Sequence, residues 1–190
     1  MRKNSKKKGN RFERVVCKFW EDWTGYEFQR VPQSGGLRWK NTSDITSDVI
    51  CTDKKHSRRF PFSIECKSHQ DIRFEHSLLQ LKTAKINDFW AQTKSDAKRG
   101  NKLPILFMKY NGMPKDEMFV CISFKSAYPL TLTSKKPYSI INNFGEDKES
   151  VVIMMASDIL ENSDYLDFYK HNKQLLKENE DEKKIRLYSF

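Results

Sequence analysis

Phe12, Val15, Val16, Phe19, Trp20 and Trp23 fall at i, i+3, i+4, i+7, i+8 and i+11. That spacing gathers side chains into one stripe on a 3.6-residue helix, three turns long. Such a stripe has to be buried against another layer. Asn10 is the expected N-cap and Gly25 the expected stop. Residues 1–9 are basic and show no periodicity, so they read as a flexible arm.

Downstream the period changes from helical to alternating. Tyr26 to Val31 reads as a strand, and PQSGGLRWKNTS, with its glycine pair, reads as a mobile loop. Ile45 to Thr52 and Phe60 to Ser68 are two strands that the basic turn DKKHSRR joins into a hairpin. Residues 75–99 are helical in pattern, ending near Gly100. Ile105 to Tyr110 is a continuous apolar run, as in a strand buried on both faces. NGMPKD turns it into a further strand, Met118 to Ser123. Residues 124–150, with Pro129, Pro137 and Gly145, look irregular. Val151 to Met155 is a short strand or a helix lead-in, and Ser157 caps a helix toward Leu176 before a charged, fraying tail. The expected fold is α/β, a central mixed sheet flanked by helices. The expected division is an arm over 1–9, a core over 10–123 and a C-terminal appendage over 124–190.

The 190 residues suffice for one domain with a core. The net charge of +10 is uneven, with the cations crowded into the first sixty residues and many acids after Ser157. A basic half of this kind suits a polyanion, and nucleic acid is the usual one. No apolar run approaches the roughly 18 residues of a membrane span. The basic start has no apolar segment behind it, so a cytoplasmic location without membrane contact is expected. Cys17, Cys51, Cys66 and Cys121 form no CxxC and are expected as reduced thiols. The four histidines form no HExxH, so a structural metal is not expected, nor an organic cofactor.

The chemistry lies in FPFSIECKSH. Alternation puts Phe60, Phe62, Ile64 and Cys66 on one face and Glu65 with Lys67 on the other. A pair of opposite charges on a strand is commonly a surface ion pair worth about 0.2–1 kcal/mol. Asp48, immediately before the apolar Val49-Ile50-Cys51, can lie across the hairpin from that face. Two carboxylates and a lysine would then converge at one end of a sheet. Carboxylate oxygens suit Mg²⁺, which lowers the pKa of a bound water and stabilises a phosphate under attack. Glu13, about 100° round the helix from Phe12, sits at the edge of the buried stripe between Arg11 and Arg14. Asp44 is a rival to Asp48.

These pieces, in this order, resemble the PD-(D/E)xK nuclease superfamily, and within it the archaeal-type and phage Holliday-junction resolvases. The likeness runs from Lys8 to about Tyr110, through KGNRFER, RVPQSGG, SDVIC, FSIECKS and the helix carrying Gln92. It implies a restriction-endonuclease-like core. It also implies divalent metal, Mg²⁺ with Mn²⁺ as substitute, at Glu13, Asp48 and Glu65, with Cys66 as a further metal-site position. Lys67 would assist the attacking water and Gln92 would support the site. Arg14, Arg30 and Ser34 would engage the DNA backbone; Lys6, Lys7, Lys8, Arg11, Arg38 and Lys40 would add phosphate contacts. The Asp48–Glu65 interval is longer than in compact archaeal resolvases, because of DKKHSRR. The expected activity is a Mg²⁺-dependent endonuclease on branched DNA, acting as a homodimer. The alternatives are a nuclease for linear duplex, ends or flaps, and a non-catalytic binding protein on the same scaffold.

Overall fold

In the computed structural model the described residues are 2–31, 47–79 and 84–188, with side chains described from Lys7 to Asp181. The chain runs α1 (Arg2–Thr24), β1 (Phe28–Arg30), β2 (Val49–Cys51), β3 (Phe62–His69), α2 (Phe74–Leu78), α3 (Lys85–Arg99), β4 (Leu103–Tyr110) and β5 (Phe119–Ser123). It continues through α4 (Phe124–Thr133), β6 (Ser139–Phe144), β7 (Glu149–Met155), α5 (Ala156–Asn162) and α6 (Tyr165–Tyr188). The seven strands form one mixed sheet in the order β1-β2-β3-β4-β5-β7-β6. Among the described strands only β3 and β4 pair in parallel, and a parallel pair needs a crossover, which α2 and α3 supply.

Alternation along β4 explains why it is buried on both faces. Ile105 and Phe107 join Trp20, Phe62, Ile64, Val120, Ile122, Leu130 and Phe168 in the larger core on the α1 side. Leu106 and Met108 point the other way, to Ile86 and Trp90 of α3. Trp20 is fully enclosed, its ring 5.2 Å from Phe60, 5.6 Å from Phe28 and 5.8 Å from Phe62. All four cysteines are free thiols.

Four expectations change. The helix begins at Arg2, not Asn10, so the basic segment read as an arm is wound into α1 and Asn10 lies inside it. Lysine and arginine are good helix formers, and an apolar stripe is not needed to extend a helix already nucleated by packing. Gly25 does end it, with φ +72 and its N–H on Glu21 O at 2.9 Å.

The stretch 124–150 is not irregular: Ser123 caps α4 through the N–H of Ser126. Pro129 inside that helix cannot bond the Lys125 carbonyl, and the His171 side chain of α6 takes that carbonyl instead, at 2.7 Å.

The single helix expected after Ser157 is two, because Ser163 is extended and Asp164 accepts from Leu166 N–H at 2.6 Å to start α6.

Finally, the segment after Ser123 is no appendage. β7 pairs with β5 from Phe119↔Met155 to Ser123↔Val151, and Leu130, Ile159 and Phe168 fill the main core. Residues 10–123 alone would leave β5 as an open edge and Trp20 partly uncovered.

Candidate active site

β2 is short, and its last pairing with β3 is Val49↔Ile64. Before it, Asp48 N–H donates to Ile64 O at 2.9 Å and Asp48 O accepts from Val31 N–H at 2.8 Å. The Asp48 backbone is thus held from both sides. The next N–H on that edge of β3 belongs to Cys66. It donates to Asp48 Oδ2 at 2.9 Å, so a carboxylate occupies the rung where a main-chain partner would sit. The buried Ser47 and Ser63 hydroxyls, 2.9 Å apart, pin the two strands just behind.

Glu65 and Lys67 do share the face turned to α3. Lys67 Nζ donates to Glu65 Oε1 at 2.6 Å and to Gln92 Oε1 at 3.0 Å, while Gln92 Nε2 donates to Glu65 Oε1 at 3.2 Å. Gln92 therefore closes a ring of three hydrogen bonds, its carbonyl toward the cation and its amide toward the anion. The Lys67 ammonium also lies 5.7 Å from the centre of the Phe89 ring. Phe62, Ile64 and Cys66 pack on the opposite, α1 face.

Glu13 reaches the site from α1, and its Oε2 accepts from Arg30 Nη1 of β1 at 3.1 Å. Glu13, Asp48 and Glu65 are all buried, at 5%, 7% and 4% exposure, although carboxylates seldom are. Burial raises the Glu65 carboxyl to about 7, Asp48 adds to the rise, and Lys67 opposes it. Burial likewise raises Glu13, with Asp48 adding and Arg30 opposing. Both glutamates are made costly to ionise by dryness and by the neighbouring Asp48.

Whether a metal fits here depends on the donors. Among the described residues no three His, Cys, Asp or Glu side chains are gathered as a ready-made cage. Mg²⁺, however, uses one or two carboxylates and fills its shell with water and substrate phosphate. Buried carboxylates that raise one another's pKa fit a divalent cation, which would remove the cost of ionising them.

Burial, with Asp48 and Glu65 nearby, holds the Cys66 thiol well above its ordinary pKa, and a hard cation such as Mg²⁺ takes oxygen in preference to sulfur. The Cys66 C=O leaves the strand by the same edge as its N–H, the Asp48 side.

Lys7, Lys8, Arg11 and Arg14 present themselves on the exposed side of α1. Lys8 and Arg11, with Lys109 and Lys115, line an open hollow of about 360 Å³ where α1 meets the β4–β5 turn. Arg30 is turned inward to Glu13 instead of outward. Ser34, Arg38, Lys40 and Asp44, and the side chain of Lys6, lie outside the described residues. Sequence reasoning missed Phe89 beneath Lys67, and His69, which continues the Glu65–Lys67 face by one more alternation. The same period of two would have found His69; Phe89 needed the docking of α3.

A family model described as "Phage putative PDDEXK endonuclease" matches residues 4–170. No curated protein and no solved structure matches the chain.

Proposed function

The chain belongs to the phage PDDEXK endonuclease family and is a metal-dependent endonuclease, and on that premise we propose that it is a Mg²⁺-dependent enzyme selective for branched DNA, with Asp48, Glu65 and Lys67 at its centre. The observation that carries the site is that buried Asp48 is fixed on the N–H of Cys66, the residue between Glu65 and Lys67, while Gln92 holds the Glu65–Lys67 pair. Asp48 and Glu65, with Glu13 beside them and the Cys66 carbonyl at the same edge, are the groups that would hold the cation. The bound cation supplies an acidified water and charge stabilisation on the phosphate.

The chain's own residues do the rest. Lys67, paired with Glu65 and aimed by Gln92, neutralises the phosphate as the water oxygen bonds to phosphorus and one P–O ester bond breaks. The attacking water gives up a proton to solvent, and the leaving oxygen takes a proton from solvent as it departs. Arg30 pairs with Glu13 and opposes the rise that burial gives its carboxyl. Lys7, Lys8, Arg11 and Arg14 hold the DNA backbone without reading its sequence. By the resemblance, Lys6, Ser34, Arg38 and Lys40 extend that track. Two copies related by a two-fold axis would offer two such sites to a symmetric four-way junction.

The test is cleavage of a four-way junction, a flap and a linear duplex by wild type and Glu65→Gln, in Mg²⁺, in Mn²⁺ and in EDTA. Preference for the junction, lost in EDTA and in the variant, is expected. Faster cutting of linear duplex would instead make the enzyme an end- or duplex-acting nuclease, and cleavage by Glu65→Gln would remove Glu65 from the site.

A further inference from the structure

The face that carries Glu65 and Lys67 continues to His69, and there it opens into a cavity of about 280 Å³. β3 forms the floor, the segment from Asp71 to His76 forms one wall, and Lys85, Ile86 and Phe89 of α3 form the other. Phe89 belongs to both places, lying under the Lys67 ammonium and lining the cavity, with its ring 5.9 Å from that of His69.

The lining divides by chemistry. Ile72, Ile86 and Phe89 make an apolar, partly aromatic interior. Lys85, Arg73 and the two histidines make a cationic rim, with Asp71 as its one acid. The rim is ordered. His69 Nδ1–H donates to Asp71 O at 2.8 Å, leaving Nε2 to accept from Lys85 Nζ at 3.1 Å. Lys85 keeps two further N–H donors, and Arg73, joined to Asp71 through Nε, keeps its terminal nitrogens. Successive residues on one face of a strand are about 7 Å apart. His69 is therefore one such step beyond Lys67, a distance of the order of one nucleotide along a DNA strand.

We infer that this cavity is a subsite for a single unstacked nucleotide next to the scissile phosphate, its base against Phe89 and Ile72 and its phosphate on Lys85 and Arg73. An aromatic face accepts any base, so the subsite reads that a nucleotide is unpaired and not which one it is. A paired, stacked base cannot enter without being extruded, at a cost that is least where pairing is already broken. This makes the preference for branched or otherwise interrupted DNA a property of the catalytic neighbourhood itself. The inference rests on Glu65 and Lys67 being the catalytic pair.

The experiment measures binding of the full chain, in EDTA so that nothing is cut, to a fluorescent blunt duplex and to the same duplex with one unpaired nucleotide inserted. Wild type is expected to bind the interrupted DNA about tenfold more tightly, the scale of one base–aromatic stack. Phe89→Leu, which keeps apolar volume but removes the stacking face, and the exposed Lys85→Gln are expected to bring the ratio close to one. An unchanged ratio in both variants, or no preference in wild type, overturns the subsite. Lys85→Gln alone decides if Phe89→Leu does not fold. Glu65→Gln assayed alongside in Mg²⁺ separates the two ideas: cleavage by that variant overturns the catalytic assignment, whatever the binding ratio.

Discussion

Asp48 Oδ2 accepts the Cys66 N–H at 2.9 Å, so the carboxylate just ahead of β2 is fixed by the backbone of the residue between Glu65 and Lys67 on β3. Asparagine can make the same hydrogen bond without the charge. Asp48→Asn is therefore expected to fold as wild type by circular dichroism and to lose cleavage by about 10²–10³-fold, the scale of one preorganised electrostatic group. A variant within a few fold of wild type in single-turnover cleavage would take Asp48 out of the site.

Gln92 hydrogen-bonds both members of the Lys67–Glu65 pair. Gln92→Ala should lower single-turnover cleavage by about 10–100-fold, as loss of a supporting hydrogen bond does at metal sites. DNA affinity in EDTA should be unchanged. Gln92→Glu accepts from Lys67 but repels Glu65, so it should not restore the rate. A fall in DNA affinity equal to the fall in rate would make Gln92 a binding residue.

Glu65 carries a pH dependence whose sign follows from its raised carboxyl. In the metal-free folded protein it holds its proton to about pH 7, whereas in the unfolded chain it releases it near the ordinary glutamate value of about 4.3. Between those values the folded state binds the extra proton, so this contribution to stability is full at low pH and is lost as pH rises through about 7. Thermal melting in EDTA should show the decline, and Glu65→Gln should flatten it. Adding Mg²⁺ should stabilise wild type increasingly as pH rises through the same window, because the cation competes with the proton. A Mg²⁺ effect equal at pH 5 and pH 8 would contradict this.

Asp158 gives the opposite slope, far from the site. Burial raises its carboxyl, but the Ser134 hydroxyl, the Lys135 and Lys136 N–H groups and the Asn162 amide outweigh burial and hold it below the ordinary aspartate value. Its contribution to stability is present above about pH 4 and is lost as pH falls through its lowered value. Asp158→Ala leaves those donors without their acceptor and should cost about 1–3 kcal/mol by urea denaturation at pH 7. The difference from wild type should shrink on acidification.

Local periodicity carried a long way here. The α1 stripe, the strand at Phe62–His69 and the two-faced β4 are each legible because their apolar spacing repeats over several residues. Alternation alone separates Glu65 and Lys67 from Phe62, Ile64 and Cys66. The parts that were not legible depend on partners distant in sequence. Pro129 argues against a helix until His171, 42 positions later, takes the carbonyl that the proline leaves unbonded. Glu149 falls in the stretch that reads as irregular until its carboxylate accepts from Trp90 Nε1 at 2.9 Å and ties the β6–β7 hairpin to the helix that carries Gln92.

By itself, then, the sequence determined which residues share a face, because side-chain direction follows from backbone period within one element. It also set the supply of carboxylates and cations, and hence the class of chemistry. Only the tertiary structure decided that Glu13, Asp48 and Glu65 would each be buried, that Arg30 would turn inward, and that β7 would complete the sheet. Those outcomes depend on contacts between elements, where burial raises the cost of an unpaired charge and so selects which of many possible partners come together.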